Sequence, residues 1–439
     1  MHILQVSPRV PFPLHDGGAI GIYNITKGLL DAGHRVTMLA INTPKHHQPA
    51  DVLAHLGPKF RLATVDIDTT AKPLKALQNL LFSRWYYGPY ILERFISLRV
   101  AEEFKRLLLT EQFDVVQLEG TFVAWYASYL TSQGSKGEMP TRQHLPPVVL
   151  RAHNVEYRIW ETLAQGERNP LKRWYFSDLA KGLKAFEKNM LHRIDAVAAI
   201  TEEDATRLHS LFFAGLPAPV SSEDVKDEKY GPTIALIPAA VEMAAFQPDP
   251  SQPPRPRTVF MIGSLNWLPN LEGLDWLLRE VWPAIHAELP ELELHVAGVA
   301  PPGHLTSRPK GQDNVFIHGF VESAAAFMRQ YDLMLVPLLS GGGMRVKIIE
   351  GMALGKCILS TGIGAEGIAV RNGHDIALRD GAAAWQQALR DYYHGRLPVS
   401  TIGAEAAATA AEVYDNRRVT QRFEALYAQV GAGRPAAAS

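Results

Sequence analysis

The stretch that most constrains the fold of this chain is residues 340–361, SGGGMRVKIIEGMALGKCILST. The apolar run Leu333–Leu339 before it has the pattern of a strand that is buried on both faces. A triple glycine at 341–343 follows directly, a helix is predicted to begin near Met344, and a second strand runs through Ser360. Glycine lets the backbone approach a ligand, and a helix start carries unpaired N–H groups and partial positive charge. The stretch therefore predicts an anion site, most naturally for a phosphate.

Three charged side chains accompany these glycines. Lys347 and Glu350 are three residues apart and share one face of the predicted helix, and Arg345 lies in its first turn. A cation and a carboxylate at this place suit a pyrophosphate with a ribose attached. The alternative is a glycine-rich turn that only closes a strand-to-helix connection, which is common in open α/β sheets.

The N-terminal region has the same plan. Met1–Val6 is predicted as a buried strand, Ala19–Ala32 as a helix and Arg35–Ile41 as the next strand. The loop before the helix ends in Asp16-Gly17-Gly18. A second glycine-bearing helix start is therefore predicted at the carboxyl end of a strand, although a simple helix cap fits equally well.

Polar residues follow two later strands of this region. The strand Phe113–Leu118 leads to Glu119, and the strand Pro147–Ala152 leads to His153 and Asn154. A histidine here can donate a hydrogen bond to a phosphate or sugar oxygen, or it can serve only as a cap in a strand-to-helix loop. Position alone does not separate these two interpretations.

The length of 439 residues predicts two domains. The segment 246–257, FQPDPSQPPRPR, carries five prolines in twelve residues and is typical of a stiff linker. Strands alternate with helices on both sides of it, so the predicted fold class is α/β, with two doubly wound Rossmann-like domains at 1–245 and 258–409 facing across a cleft. A helix at about 410–430 is expected to follow, with packing back on the first domain as one option.

Composition narrows the functional classes. The balance of 44 Lys plus Arg against 45 Asp plus Glu argues against a nucleic-acid partner. The single cysteine, Cys357, excludes an intramolecular disulfide and fits a reducing compartment. The N-terminus shows no leader and no apolar run is long enough to span a bilayer, so a cytoplasmic protein is expected. Aromatic and basic residues mix within 72–104, which leaves a peripheral membrane contact open beside a packed helical pair.

Short motifs recur along the chain in a fixed order. They are Asp16-Gly17-Gly18, RAHNVEY at 151–157, TEED at 201–204, Ile237-Pro238, the stretch from Gly342 to Thr361, and GAEG at 364–367. In this order and spacing they resemble the retaining glycosyltransferases of the two-domain GT-B architecture, specifically the large family 4 that uses nucleotide sugars. The resemblance covers nearly the whole chain.

The resemblance implies roles for individual residues. The family pattern has two glutamates with seven residues between them; Glu350 matches the second, which binds the ribose, whereas Gly342 stands at the first, which lies near the donor sugar. The family's arginine and lysine after the first strand of the second domain are missing, since the sequence there is GSLNW at 263–267, and Ala239-Ala240 replaces the usual Asn-Gly. Arg345 and Lys347 are expected to supply the missing positive charge to a diphosphate leaving group.

The candidate site residues fall into three groups. The catalytic candidates are His153, Arg345 and Lys347. The donor-binding candidates are Gly17, Gly18, Gly342, Gly343, Glu350, Val321 and Asn266. The acceptor or sugar contacts are Glu119, Asn154 and Glu366.

The expected reaction moves a sugar from a nucleoside-diphosphate sugar to a glycan or lipid-linked acceptor, in cell-surface polysaccharide or glycolipid synthesis. By the same resemblance it needs no protein nucleophile and no cofactor. No metal is expected, and Asp66-Ile67-Asp68, a formal Asp-x-Asp match, is interpreted as solvated. An epimerase or phosphorylase on the same fold, or a non-catalytic nucleotide- or glycan-binding relative, stays as an alternative; a phosphorylase would need a lysine for pyridoxal phosphate, and none stands out.

Overall fold

A computed structural model describes residues 1–14, 16–83, 88–129, 145–214, 231–249, 251, 253–341 and 343–432. The chain divides into two compact units. Unit 1 comprises Met1–Leu14, Gly18–Pro238 and Thr420–Ser439, and unit 2 comprises residues 15–17 and Ala239–Val419. The C-terminal segment thus belongs to the same unit as the N-terminal one.

Unit 1 is built on a parallel sheet of seven strands in the order β3-β2-β1-β4-β5-β6-β7. The strands are β1 His2–Ser7, β2 Arg35–Asn42, β3 Phe60–Asp66, β4 Val115–Glu119, β5 Val148–Ala152, β6 Ala196–Ala199 and β7 Thr233–Leu236. Their burial is nearly complete in the centre of the sheet, where β4 and β5 are buried throughout and β1 from Ile3 onward.

The helices of unit 1 flank this sheet. They are α1 Gly17–Asp31, α2 Pro73–Gln78, α3 Tyr90–Glu93, α4 Leu98–Thr110, α5 Glu156–Gly166, α6 Pro170–Leu191 and α7 Glu202–Phe213, with α15 Asn416–Ala432 at the C-terminus. Thr201 caps α7 as predicted, because its hydroxyl accepts a hydrogen bond of 3.0 Å from the Asp204 N–H.

Unit 2 has a parallel sheet of six strands in the order β10-β9-β8-β11-β12-β13. The strands are β8 Arg255–Ile262, β9 Glu293–Ala297, β10 Val315–Gly319, β11 Tyr331–Val336, β12 Cys357–Ser360 and β13 Ala377–Leu378. The helices are α8 Leu268–Trp276, α9 Trp282–Glu288, α10 Gly303–Thr306, α11 Ala324–Arg329, α12 Val346–Ala353, α13 Ala382–Tyr393 and α14 Val399–Val413.

Each sheet reverses its strand order at one point. In unit 1 this point lies between β1 and β4, and in unit 2 between β8 and β11. The loops that leave the carboxyl ends of neighbouring strands diverge there and open a crevice where such sheets bind ligands. The predicted class of two doubly wound parallel α/β sheets is confirmed.

Several element boundaries differ from the sequence prediction. β8 begins at Arg255, inside the predicted linker, and pairs there with β11. The helix predicted at about 410–430 begins only at Asn416, because the chain between α14 and α15 leaves helical geometry to bond Val241: the Val241 N–H donates to Tyr414 and the Asn416 N–H donates to Val241. A π-helical turn, Leu277–Val281, lies between α8 and α9.

None of the helices among the described residues combines the length and apolar character that a membrane-spanning helix requires.

Candidate functional site

The glycine turn of unit 2 connects β11 to α12. Gly341 has φ +102° and Gly343 has φ +81°, in the left-handed region that favours glycine. A Cβ at Gly341 would also lie 3.0 Å from Pro269. Gly342, the position of the missing family glutamate, lies outside the described residues. The positive φ angles at positions 341 and 343 require glycine at both.

Arg345 is the N-cap residue of α12 and is only 5% exposed. Its guanidinium donates to the carbonyl oxygen of Gly341 at 2.8 Å and to that of Gly343, and it lies 5.6 Å from the ring centre of Trp267. Burial lowers the pKa of Arg345, opposed by the charge of Glu366. The arginine thus holds the glycine turn by two of its carbonyls and places a positive charge directly behind it.

Lys347 occupies the first turn of α12. Its Nζ donates to Oδ1 of Asn270 at 2.8 Å, and Asn270 in turn donates to the Ser264 carbonyl at 2.9 Å. Burial, with the neighbouring charge of Arg345, lowers the pKa of Lys347 to about 7. The amide does not neutralise the ammonium, so a bound anion would be the partner that restores its full charge.

Gly263 leaves the space that this lysine and asparagine occupy. A Cβ there would lie 2.7 Å from Asn270 Nδ2 and 3.2 Å from Lys347 Nζ. We expect Gly263→Ala to lower the free energy of unfolding by about 1–3 kcal/mol and to displace both side chains. Chemical denaturation measures the effect. Gly303→Ala is the matched control in the same unit, because a Cβ at Gly303 meets nothing within 4 Å; equal losses in the two variants would contradict the prediction.

Glu350 lies one helical turn beyond Lys347 on α12 and is 8% exposed. Burial alone raises its pKa to about 7. Within the described part of the chain its carboxylate accepts no hydrogen bond and forms no ion pair, and leaving such a group buried is costly. A perturbed, unsatisfied carboxylate is typical of a ligand site.

The other predicted site residues of unit 2, two donor-binding candidates and one acceptor or sugar contact, lie on loops at the carboxyl ends of strands. Asn266 is exposed in the turn after β8, Val321 is half-buried after β10, and Glu366 is exposed after β12. No hydrogen bond links these three side chains to Lys347 or Glu350 in the described residues. The structure brings Arg345, Lys347 and Glu350 together on one short helix and leaves the other three around it.

In unit 1, Glu119 ends β4 and is fully buried. It accepts hydrogen bonds from Gln5 at 2.6 Å, Gln117 at 2.5 Å, Arg151 at 3.1 Å and His153 at 2.9 Å. Burial alone would raise its pKa, but Arg151 and these hydrogen bonds outweigh burial and hold the pKa at about 2. Both oxygens of Glu119 are thus occupied by other side chains and shielded from solvent, and the predicted contact of Glu119 with acceptor or sugar stays a prediction.

His153 follows β5, and its side chain is 21% exposed. Burial and the charge of Arg151 lower its pKa, against the attraction of Glu119, so the ring is neutral near pH 7. Nε2 lies 2.9 Å from ionised Glu119 and 3.3 Å from Nη1 of Arg151; since the carboxylate can only accept, the shorter contact assigns the remaining proton to Nε2. Nδ1 is then an acceptor, so His153 suits a sugar hydroxyl as its donor rather than a phosphate oxygen as its acceptor.

Three more predicted residues lie at helix starts. Gly17 and Gly18 are the first residues of α1, and both are exposed. Asn154 is half-buried and hydrogen-bonds Glu156, the first residue of α5, whose pKa burial raises to about 7 against that bond.

Comparison with known proteins places this fold in a family. The family model described as Glycosyltransferase Family 4 matches residues 15–218, and the model described as Glycosyl transferases group 1 matches residues 256–394. The chain belongs to the group 1 glycosyltransferases. The resemblance inferred from the motifs is confirmed at this level, and the retaining stereochemistry stays a prediction.

Solved structures share the GT-B fold of this glycosyltransferase. Sucrose-phosphate synthase from Thermosynechococcus elongatus aligns with a TM-score of 0.66 and 17% identity, covering 99% of this chain and 100% of that one. Anabaena HepE in complex with UDP-glucose aligns with a TM-score of 0.59 and 14% identity, covering 97% and 99%. Among curated sequences, an uncharacterised 44.6 kDa protein of the Klebsiella pneumoniae cps region is 20% identical over 95% of this chain and 97% of its own length.

Four polar residues of this glycosyltransferase were not predicted as site residues from the sequence: Gln5, Gln117, Arg151 and Asn270. The first three carried a signal, since each interrupts a strand that is otherwise a buried apolar run. A polar residue inside such a run needs a partner. Asn270 gave no such signal, because helix starts commonly carry asparagine.

No cluster of three or more metal-ligating side chains occurs among the residues that the structure describes. The Asp-x-Asp pair has protein partners: Asp66 accepts a hydrogen bond from Asn42 at 2.9 Å, and Asp68 pairs with Lys72 at 2.6 Å.

Proposed function

We propose that this glycosyltransferase moves a sugar, with retention of configuration, from a nucleoside-diphosphate sugar to a glycan or lipid-linked acceptor. The observation that carries the proposal is the buried, unpartnered carboxylate of Glu350 one turn from Lys347 behind a glycine turn. A carboxylate and a cation at that spacing match the ribose hydroxyls and the diphosphate of one ligand. HepE binds UDP-glucose on the same fold, which supports a nucleotide-sugar donor.

Each group has a defined task in this proposal. The N-terminus of α12 and the ammonium of Lys347 stabilise the charge that develops on the leaving diphosphate. Arg345 maintains the turn and adds its charge from behind. Glu350 accepts hydrogen bonds from the ribose, and Nδ1 of His153 accepts one from a sugar hydroxyl.

The bond changes balance without a protein nucleophile, a cofactor or a metal. The bond between the anomeric carbon and the diphosphate oxygen breaks, and a bond to the acceptor oxygen forms on the same face. The acceptor proton passes to the leaving phosphate oxygen. We place the reaction in the cytoplasm, at the inner membrane face when the acceptor is lipid-linked. The cps-region relative supports a polysaccharide or glycolipid product.

A panel of nucleotide sugars with a crude acceptor extract tests the proposal. We expect diphosphate release with one donor, unaffected by EDTA, and a product whose anomeric configuration by NMR equals that of the donor. Conversion of the donor without release would identify an epimerase. Nucleotide binding without release from any donor would identify a non-catalytic relative.

Nucleotide binding should also change the protonation of the two buried groups. At about pH 8 the diphosphate should draw nearly one proton onto Lys347, whereas at about pH 6 the ribose should drive nearly one proton off Glu350. Calorimetry in buffers of different ionisation enthalpy measures both. Lys347→Met should abolish only the uptake at the higher pH; an unchanged uptake in this variant would show that the ammonium does not meet the diphosphate.

A further inference from the structure

We propose that Tyr427 of the C-terminal helix is a positioning residue for His153, acting through Gln117 and Glu119. The four residues form a continuous chain of hydrogen bonds within unit 1 and span 310 positions of sequence between Tyr427 and Gln117. Its meaning for catalysis rests on the proposed role of His153. The positioning itself is a property of the fold.

The first link joins α15 to β4. Tyr427 is 3% exposed, and its hydroxyl donates to Oε1 of the fully buried Gln117. Burial and the charge of Glu119 raise the pKa of Tyr427 well above its ordinary value, so the hydroxyl keeps its proton. The protonated hydroxyl is therefore able to donate, and it donates to the amide oxygen of Gln117.

The second link, from Gln117 to Glu119, depends on the orientation of the Gln117 amide. With its oxygen turned to Tyr427, Gln117 presents its NH₂ group to Oε1 of Glu119 at 2.5 Å. The flipped amide would place its oxygen against an ionised carboxylate in a buried site, which is strongly unfavourable. The acceptor-only carboxylate thus requires the amide NH₂ on its side, and Tyr427 stabilises the same orientation by donating to the amide oxygen on the other side.

A second pair of hydrogen bonds reaches the same carboxylate oxygen, Oε1 of Glu119. Thr26 on α1 donates to Oε1 of Gln5 at 2.7 Å, and Gln5 donates to Oε1 of Glu119 at 2.6 Å. Two amides therefore saturate Oε1 and fix the plane of the carboxylate. The other oxygen, Oε2, is directed to Arg151 and His153.

The last link sets the state of the imidazole. The charged groups that act on His153 are Glu119 from β4, Arg151 from β5 and Arg9 from the loop after β1, while Tyr427 on α15 stays neutral. With Oε2 held in place, the ring keeps its proton on Nε2 and exposes Nδ1 as an acceptor. A carboxylate free to rotate would allow the other tautomer.

Tyr427→Phe tests this inference through the ring nitrogens of His153, observed by ¹⁵N NMR in the full chain. We expect a predominant Nε2–H tautomer with a minor Nδ1–H form in the parent protein, and a ratio of Nδ1–H to Nε2–H that is about fivefold higher in the variant, the factor that one net hydrogen bond represents. Tyr126→Phe is the matched control, because that buried hydroxyl in the same unit donates to Phe95 instead. Identical His153 spectra in all three proteins would overturn the proposal.

A second variant guards against a purely structural effect. Gln117→Leu should change the His153 spectrum as Tyr427→Phe does, and the double variant should add little, because both act through one chain. Full additivity would overturn the chain. A shifted tautomer with unchanged turnover would uphold the positioning and refute the catalytic role of His153, so the two failures remain distinguishable.

Discussion

Glu350→Ala is expected to weaken binding of a nucleoside diphosphate about 100-fold. Two ribose hydroxyls that donate to one buried carboxylate contribute together about 3 kcal/mol, and about 1.4 kcal/mol corresponds to a factor of ten. The carboxylate has no other partner in the described residues, so its removal costs the fold no hydrogen bond. Isothermal calorimetry measures the affinity, and an unchanged dissociation constant would refute the ribose role.

The same position should gain stability while it loses affinity. The folded protein holds a proton on Glu350 up to about pH 7, whereas the unfolded chain releases it near its ordinary pKa of 4.5, so this group destabilises the fold as pH rises through that window. Glu350→Gln should therefore be up to about 3 kcal/mol more stable than the parent above pH 7 and equal to it below the window. Asp375→Asn is the control: this carboxylate is also buried but accepts from the Arg371 N–H and the Thr409 hydroxyl, so its replacement should destabilise the fold and leave binding unchanged.

The architecture was accessible from sequence because both central sheets consist of short apolar runs followed by glycine or polar residues. β1, β4, β5 and β11 were predicted within a few residues. β3 was not predicted, because it is a half-exposed edge strand that mixes polar and apolar residues. Because β3 is only partly buried, its sequence lacks a clear pattern of apolar residues.

The candidate site was accessible only in part. The spacing of Lys347 and Glu350 and the glycines before them identified the donor side. The spacing of residues along the sequence does not reveal which polar atoms form hydrogen bonds with each other across the fold. Arg345 was expected to meet a ligand, yet its guanidinium turns to the carbonyls of its own turn. Lys347 depends on Asn270, 77 residues away.

Glu119 shows the same limit in unit 1. As a carboxylate at the end of a strand it has the position of a ligand contact, and only the three-dimensional structure shows that Gln5, Gln117 and Arg151 enclose it. Of this group, His153 is the side chain that we propose to meet the sugar, and it lies 2.9 Å from Glu119.

Glu119→Ala is expected to lower the free energy of unfolding by about 3–5 kcal/mol, because it leaves the guanidinium of Arg151, 1% exposed, without its counter-charge. The shift of the Glu119 pKa gives a similar size for this loss of stability. The pKa of Glu119 is about 2 in the folded protein against 4.5 in the unfolded chain, so the group contributes about 3 kcal/mol above the unfolded pKa, and this is lost as pH falls toward 2. Denaturant titrations between about pH 7 and pH 2 measure both quantities.

A double variant separates the structural from the functional effect. Glu119→Gln with Arg151→Met removes both charges while an amide still accepts from Gln5 and Gln117, so stability should return to within about 1 kcal/mol of the parent. The amide nitrogen would then face His153 and force its proton to Nδ1, which removes the acceptor for a sugar hydroxyl. Turnover should therefore stay low in a protein that folds normally; recovery of turnover together with stability would show that Glu119 serves only the fold.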